Sequence, residues 1–487
     1  MNISKLTLLA LLGILSQQAS LHAADRPPNF VFILVDDLGQ RDLGCYGSTF
    51  YETPRIDALA KSGLRFTSAY SACPVCSPTR ASIQSGKYPG RLHTTDYFGG
   101  PTYDKALHDE RYVSRPVLPP NYLERLPLEE QTIAESLAAA GYATFYTGKW
   151  HLGPKGYWPE DQGYQTNVGG NRASTNKNRK FFSPYNNPDL PDGPDGEQLD
   201  ERLANEAANF IRDHREQPFL VFFAQFDVHV PLNTKPELRK KYRQKKDALG
   251  NNQPEFGKEG ERDVRHVQNH PVYSGMVESM DTAVGIVLDA LGEAGVEDET
   301  IVIFTSDNGG LSTAEGSPTS NLPLRAGKGW YYEGGVRVPL IIRWPGKTKA
   351  GATTDSYVIS TDYYPTILEM AGLKLKPEQH VDGRSFAPLL KGESQPARGP
   401  IYWHYPHYGN QGGRPFSAIR DGDWKLIEFL EDGRTELYDV AHDESETKNL
   451  AAAEPERTAM MQKQLHLWRQ EAKVQMPQRN PKLSPPK

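Results

Sequence analysis

Two pairs of oxygen-bearing side chains stand at matching places in the chain. Asp36-Asp37 closes the apolar run Phe30-Val31-Phe32-Ile33-Leu34-Val35, and Asp307-Asn308 follows Ile301-Val302-Ile303-Phe304. A lone Asp after a strand commonly serves a turn or a helix cap. Two such pairs form an all-oxygen ligand set, which suits calcium or magnesium and disfavours zinc. Two further apolar runs end in basic groups. Ala143 to Tyr146 leads into Thr147-Gly148-Lys149-Trp150-His151, and Phe219 to Phe223 leads into Asp227-Val228-His229-Val230-Pro231. Lysine is a compact point charge for an oxyanion, and histidine can give or take a proton near neutral pH. Cys73 and Cys76 form a Cys-x-x-Cys, a spacing also used by redox pairs and zinc sites. Cys45 is the one further cysteine of three, so a zinc site lacks its remaining soft ligands. A structural disulfide is the other conventional reading of the pair.

These groups need a scaffold that brings distant residues together. The apolar runs read as strands buried on both faces, and helical patterns separate them. One helix spans Pro54 to Gly63, with Ile56, Leu59 and Ala60 on one face. Another opens on a capping box, Thr132 with Glu135, and carries Ile133 and Leu137. A third centres on Leu203, Ala207 and Phe210, and a fourth carries Val277, Met280, Val284, Val287, Leu288 and Leu291. Strands alternating with helices predict an α/β fold with a large, doubly wound, mixed but mainly parallel sheet flanked by helices. In such a sheet the carboxyl ends of the strands share one edge, so all four polar clusters converge there. Long loops at 92–126 and 153–196 are placed to shape specificity.

The pattern changes near residue 398. Short strands over Phe416 to Arg420, Trp424 to Glu428 and Glu436 to Tyr438 are separated by Asp421-Gly422 and Asp432-Gly433 turns, and a helix follows around Met460 to Trp468. The division expected is therefore a leader over 1–24, a catalytic domain over 25–397, a smaller C-terminal antiparallel-sheet subdomain over 398–472 and a loose, proline-rich tail over 473–487. The leader is read from Lys5, the apolar run Leu6 to Leu15 and the small residues Ala23 and Ala24 before Asp25. That run is too short to span a bilayer and reads as a cleavable signal peptide, which predicts a secreted or periplasmic protein with no membrane anchor. A net charge of -6 over 487 residues, with no basic stripe, excludes a nucleic-acid partner.

Cys76-Ser77-Pro78-Thr79-Arg80, followed by Ser85-Gly86, resembles the local pattern of the type I (formylglycine-dependent) sulfatases of the alkaline phosphatase superfamily. The resemblance extends through Gly148-Lys149-Trp150-His151, His229-Val230-Pro231, Ser306-Asp307-Asn308-Gly309 and Gly327-Lys328-Gly329, then Glu333-Gly334-Gly335-Val336-Arg337-Val338-Pro339. It implies that a maturation enzyme oxidises Cys76 to formylglycine, whose hydrate attacks sulfur and later expels sulfate. Asp36, Asp37, Asp307, Asn308 and residue 76 would hold one calcium ion. Arg80 would stabilise the hydrate, Lys149 and Lys328 would neutralise sulfate oxygens, His151 would help remove the hydrate's proton and His229 would protonate the leaving alkoxide. Sulfate ester cleavage asks for such groups, because charge stays on the equatorial oxygens and grows on the leaving one. Thr79 departs from the family pattern, which carries serine or alanine there.

The expected activity is hydrolysis of a sulfate monoester, on a sulfated saccharide or an aryl sulfate. The same formylglycine chemistry would also serve a phosphonate monoester or phosphodiester hydrolase, and an inactive carbohydrate-binding relative is the reading from outside the enzymes. Trp403-His404-Tyr405-Pro406-His407-Tyr408 reads equally as subdomain core or as a carbohydrate subsite. His407 and Arg414 are the subsite candidates.

Overall fold

The computed structural model describes residues 26–171, 180–250 and 254–483. The leader expected over 1–24 lies outside the described residues. A nine-stranded sheet forms the centre. Its strands are β1 (Asn29–Val35), β2 (Leu64–Tyr70), β3 (Ala143–Gly148), β4 (Thr166–Val168), β5 (Phe219–Ala224), β6 (Thr300–Ser306), β7 (Arg337–Arg343), β8 (Ala352–Thr354) and β9 (Val358–Ile359). Their order is β8-β2-β7-β6-β1-β5-β3-β4, with β9 also on β2. β7 runs antiparallel to β2 and β6, and the other pairings are parallel.

The helices that cover this sheet are α1 (Pro54–Ser62), α2 (Cys76–Ser85), α3 (Ile133–Ala138), α4 (Leu199–Asp213), α5 (Pro271–Glu293) and α6 (Tyr363–Met370). Strand β1 shows why its sequence is apolar from Phe30 to Val35. Successive side chains point to opposite faces. Val31, Ile33 and Val35 pack with Leu203 and Ala207 of α4 and Val277, Met280 and Val284 of α5. Phe30, Phe32 and Leu34 pack with Ile133 and Leu137 of α3 and Tyr363 and Ile367 of α6. Asn29, the polar residue at the strand's start, is buried with its side chain donating to Thr300 Oγ1 and accepting from the Phe219 amide, both at 3.3 Å. The capping box is present at α3: Thr132 Oγ1 accepts from the Glu135 amide at 3.1 Å, and the Thr132 amide donates to Glu135 Oε2 at 2.7 Å.

A separate antiparallel sheet is built from β10 (Ile401–Tyr405), β11 (Phe416–Asp421), β12 (Trp424–Phe429) and β13 (Thr435–Asp439), in that spatial order. Helix α7 (Pro455–Glu471) contributes Met461, Leu465 and Trp468 to the core beneath it. The same core includes Tyr70 and Trp330, Tyr331 and Tyr332 from the large domain, so the two sheets share one apolar cluster. A buried ionic group fastens them further. Lys425 Nζ of β12 lies 3.0 Å from Glu333 and 2.9 Å from Glu446, and the Tyr70 hydroxyl donates to Glu333 at 2.7 Å. The tail expected to be loose is held in part: Gln478-Arg479 pairs with Val117-Leu118, and the Asn480 side chain donates to the Tyr112 and Arg115 carbonyls. Two unpaired backbone edges gain partners there, which outweighs the proline-rich composition. Among the described residues no helix is long and apolar enough to cross a membrane.

Candidate active site

The carboxyl ends of β1, β3, β5 and β6 are adjacent in the sheet, and their polar residues meet in one buried cluster. Asp37 turns the chain out of β1 with a φ of 63°. Its amide donates to Asp307 Oδ1 at 3.2 Å, while Asn308 Nδ2 donates to Asp37 Oδ1 at 2.8 Å. The two pairs noted in the sequence therefore interlock. Gly148, at φ 96°, lets the end of β3 lie against β5: a Cβ there would fall 1.8 Å from the Ala224 carbonyl oxygen. That approach lets the Lys149 amide donate to the same oxygen at 2.8 Å and turns the Lys149 side chain inward.

Four cationic or imidazole groups face the acids. Lys149 Nζ reaches Asp36 Oδ2 at 2.5 Å, and Lys328 Nζ reaches Asp37 Oδ2 at 2.6 Å. Arg80, on α2, donates through Nε to Asp307 Oδ2 at 2.8 Å and through Nη1 to the Lys149 carbonyl at 2.6 Å, and its Nη2 forms an ion pair with the same Asp307 oxygen at 2.8 Å. Asp37 is held well below the usual carboxylate range: burial pushes it up, but the ammonium groups of Lys328 and Lys149 outweigh burial. Asp36 goes the other way, raised by burial and by its neighbours Asp307 and Asp37 against the pull of Lys149.

Cys76 is the first residue of α2 and is buried, with Sγ 3.4 Å from His151 Nδ1. Burial raises its thiol above the ordinary value. His151 also meets the Ser77 hydroxyl at 3.0 Å and has its Nε2 3.4 Å from the Phe98 carbonyl. Burial, Lys149 and Arg80 all press its pKa well below the ordinary value, which keeps the ring neutral. His229 Nδ1 lies 2.7 Å from the Val230 carbonyl and Nε2 lies 3.0 Å from Lys328 Nζ. A carbonyl only accepts and an ammonium only donates. Nδ1 of His229 therefore carries the hydrogen and Nε2 presents a lone pair to Lys328. Burial and Lys328 lower this histidine to about 3.

The donor set fits a hard cation. One ligand atom each from Asp36, Cys76 and Asp307 lie within 4.8 Å of one another, and so do those of Asp36, Asp37 and His229. Asp36 Oδ1 and Asn308 Oδ1 are buried without a hydrogen-bond partner. Buried oxygens of this kind are ordinarily satisfied, and an oxygen-seeking cation would satisfy both.

Over the cluster opens a cleft of about 560 Å³ lined by Cys76, His151, His229 and Lys328, with Val75, Tyr97, Val230 and Pro231 on its walls and Glu315, Asn410 and Gln411 at its mouth. The ten catalytic and metal candidates named from the sequence, Asp36, Asp37, Cys76, Arg80, Lys149, His151, His229, Asp307, Asn308 and Lys328, thus lie in or directly beneath one cleft. His407 and Arg414 do not line it. His407 is 1% exposed, bonds Thr95 Oγ1 at 2.8 Å and stacks edge-on against Tyr122. Arg414 pairs with Glu431 at 3.0 Å. Of the two readings of that aromatic cluster, packing describes His407, and Arg414 is a surface ion pair. Tyr97, Glu315, Asn410 and Gln411, which line the cleft, and Ser77, which is buried against His151, are the site residues that sequence reasoning did not single out. Ser77 adjoins Cys76 and could have been found from its position. The others sit on irregular loops with no periodic signal.

The sulfatase family model matches residues 28–373, and a model of the N-sulphoglucosamine sulphohydrolase C-terminal region matches 326–475. A sulfatase of Formosa agariphila is 33% identical, covering 96% of this chain and 93% of its own. Human arylsulfatase A is also 33% identical, over 84% of this chain and 76% of its own. Human N-acetylgalactosamine-6-sulfatase is 31% identical, over 78% and 69%. Among solved structures, Ps i-CgsB in complex with k-i-k-neocarrahexaose superposes with a TM-score of 0.72 at 27% identity, covering 91% of this chain and 93% of that one. A match along nearly the whole chain, around a cleft that gathers cations, imidazoles and an oxygen-ligand set, has one reading: the chain belongs to the sulfatase family and is a sulfuric ester hydrolase.

Proposed function

We propose that the protein hydrolyses a sulfate monoester on a sulfated carbohydrate outside the cytoplasm, with residue 76 matured to formylglycine and a calcium ion held by Asp36, Asp37, Asp307, Asn308 and residue 76. The observation that carries this reading is Cys76 at the first turn of α2, in contact with His151 and with Sγ within 4.8 Å of carboxylate oxygens of Asp36 and Asp307. The carbohydrate component is supported by the likeness to Ps i-CgsB, solved with k-i-k-neocarrahexaose, and to N-acetylgalactosamine-6-sulfatase. Export is supported by the leader pattern over 1–24.

When bound, the calcium ion would supply positive charge that orients the sulfate oxygens and lowers the repulsion facing a nucleophile. The matured residue 76 would supply two geminal oxygens, one for attack on sulfur and one for release of sulfate. The chain's own side chains do the rest. Arg80, clasped by Asp307 and the Lys149 carbonyl, is fixed where it can stabilise the side chain of residue 76. Lys149 and Lys328 face the cluster as fixed positive charges for sulfate oxygens, a preorganised arrangement that needs no rearrangement during reaction. His151, kept neutral, presents Nδ1 to residue 76 and can take its proton. His229 lines the cleft with Nε2 beside Lys328 Nζ and is the group placed to protonate the leaving oxygen once Nε2 has taken up a proton, while Lys328 keeps its charge.

A panel of defined sulfated saccharides assayed for free sulfate tests the proposal, with aryl sulfate and aryl phosphonate turnover run alongside. Sulfate release from a saccharide, and a preference for sulfate over phosphonate, is expected. Saccharide binding without release, or faster phosphonate turnover, would contradict it.

A further inference from the structure

The mouth of the cleft is built from residues that nothing in the reaction requires. Glu315 and the loop 409–413 come from distant parts of the chain, and three contacts lock them together. Asn410 Nδ2 and Gln411 Nε2 both donate to Glu315 Oε1, at 2.7 and 3.2 Å. Trp330 Nε1 bonds Thr313 Oγ1 at 2.9 Å on one loop and the Gln411 carbonyl at 3.0 Å on the other. The 409–413 loop can press this closely only because it is glycine-rich: a Cβ on Gly413 would fall 1.8 Å from the Gly329 carbonyl oxygen, immediately after Lys328. The mouth is thus rigidly referenced to the lysine on the cleft floor.

Its chemistry is that of an acceptor. Both amide donors go to Oε1 of Glu315, an exposed side chain that lines the cleft, and Oε2 makes no hydrogen bond among the described residues. Gln411 is 4% exposed and packs against Gly329, so its part is to hold Glu315 in place. A carboxylate calls for hydrogen donors. A second sulfate or a carboxylate near this point offers none and would also meet the Glu315 charge at short range.

Resting on the proposed carbohydrate sulfatase activity, we infer that Glu315, held by Asn410 and Gln411, determines substrate specificity by accepting hydrogen bonds from free hydroxyls of an uncharged sugar that carries the sulfate ester. The sulfate goes to the cationic floor and the hydroxyls stay at the mouth. Sugars bearing a second sulfate or a carboxylate beside the ester are disfavoured.

The test compares wild type with Glu315→Gln and Glu315→Ala on three substrates: a monosulfated neutral saccharide, the same saccharide with a second sulfate on the same sugar, and nitrophenyl sulfate, which has no hydroxyls to read. In both variants the ratio of kcat/KM for the neutral saccharide to that for nitrophenyl sulfate should fall roughly ten- to hundredfold, the range for losing a hydrogen bond to a charged group. The preference for the monosulfated over the disulfated saccharide should narrow in parallel. Equal losses on saccharide and nitrophenyl sulfate would show that Glu315 is merely structural, and no loss would remove it from recognition; either overturns the inference. Wild-type enzyme that turns over nitrophenyl sulfate but no saccharide would instead overturn the carbohydrate reading, and this inference with it.

Discussion

Thr79, the one departure from the family pattern around Cys76, is buried and bridges the backbone of Cys73. Its Oγ1 accepts from the Cys73 amide at 3.1 Å and donates to the Cys73 carbonyl at 2.9 Å, closing the loop that delivers Cys76 to the start of α2. Thr79→Val keeps the shape and removes both bonds. The Cys73 carbonyl also accepts from Ser71 Oγ at 2.9 Å, so it retains one partner. The amide does not. The cost is therefore about 1–3 kcal/mol for the stranded N–H plus about 1 kcal/mol for the second bond, or about 2–4 kcal/mol in all. Thr79→Ser keeps both bonds and loses one buried methyl, at about 1 kcal/mol. For a chain of 487 residues, unfolding entropy of about 2.1 cal/mol/K per residue gives a shift near 1 °C per kcal/mol. Calorimetry should thus find Tm lower by about 2–4 °C for valine and about 1 °C for serine. Amide exchange at Cys73 should accelerate in the valine variant alone. Equal stability of the two variants, with unchanged exchange at Cys73, would refute the bridging role.

Three further outcomes follow from the site and its supports. Calcium should raise the Tm of the wild-type protein more than zinc does, by an amount equivalent to about 2.7 kcal/mol at a hundredfold excess over its Kd, and Asp307→Ala should abolish that response along with most activity; an unaltered calcium shift in the variant would exclude Asp307 as a ligand. His229→Ala should cost about 10²–10⁴ in rate on alkyl sulfates and far less on nitrophenyl sulfate, whose leaving anion needs little protonation; equal losses would move the proton-donor role to Lys328 alone. Asp96 is raised to about 7, chiefly by burial, so the folded chain retains a proton there that the unfolded chain releases above about pH 4. Its contribution to stability therefore declines as pH rises from about 4 to 7, and Tm measured against pH should shift in favour of Asp96→Asn across that window, whereas parallel curves would contradict the burial effect.

The scaffold was legible wherever local pattern and tertiary environment agree. β1 reads as an unbroken apolar run because both of its faces meet helices, and α3 announces itself through Thr132 and Glu135. The cluster at the sheet edge was legible for a topological reason: parallel strands put their carboxyl ends together, so Asp36, Lys149, His229 and Asp307 could be grouped without knowing the loops. His407 shows the limit. An aromatic and imidazole run has the same composition whether it lines a sugar site or fills a core, and only packing against Tyr122 and Thr95 distinguishes the two. Glu315 and Gln411 lie on irregular loops that meet through their own side chains and through Trp330, an arrangement that leaves no periodic trace. Composition does not reveal the strand edge at Val117-Leu118 that Gln478 and Arg479 find within the tail.

The central claim is that residue 76 acts as formylglycine in sulfate ester hydrolysis. Mass spectrometry of the peptide containing residues 76 to 80, taken from a preparation whose sulfate release has just been measured, tests it most directly. CH2SH at residue 76 should be replaced by CHO, and specific activity across preparations should rise in proportion to the converted fraction. Full activity in a preparation whose Cys76 is entirely an unmodified thiol would contradict it.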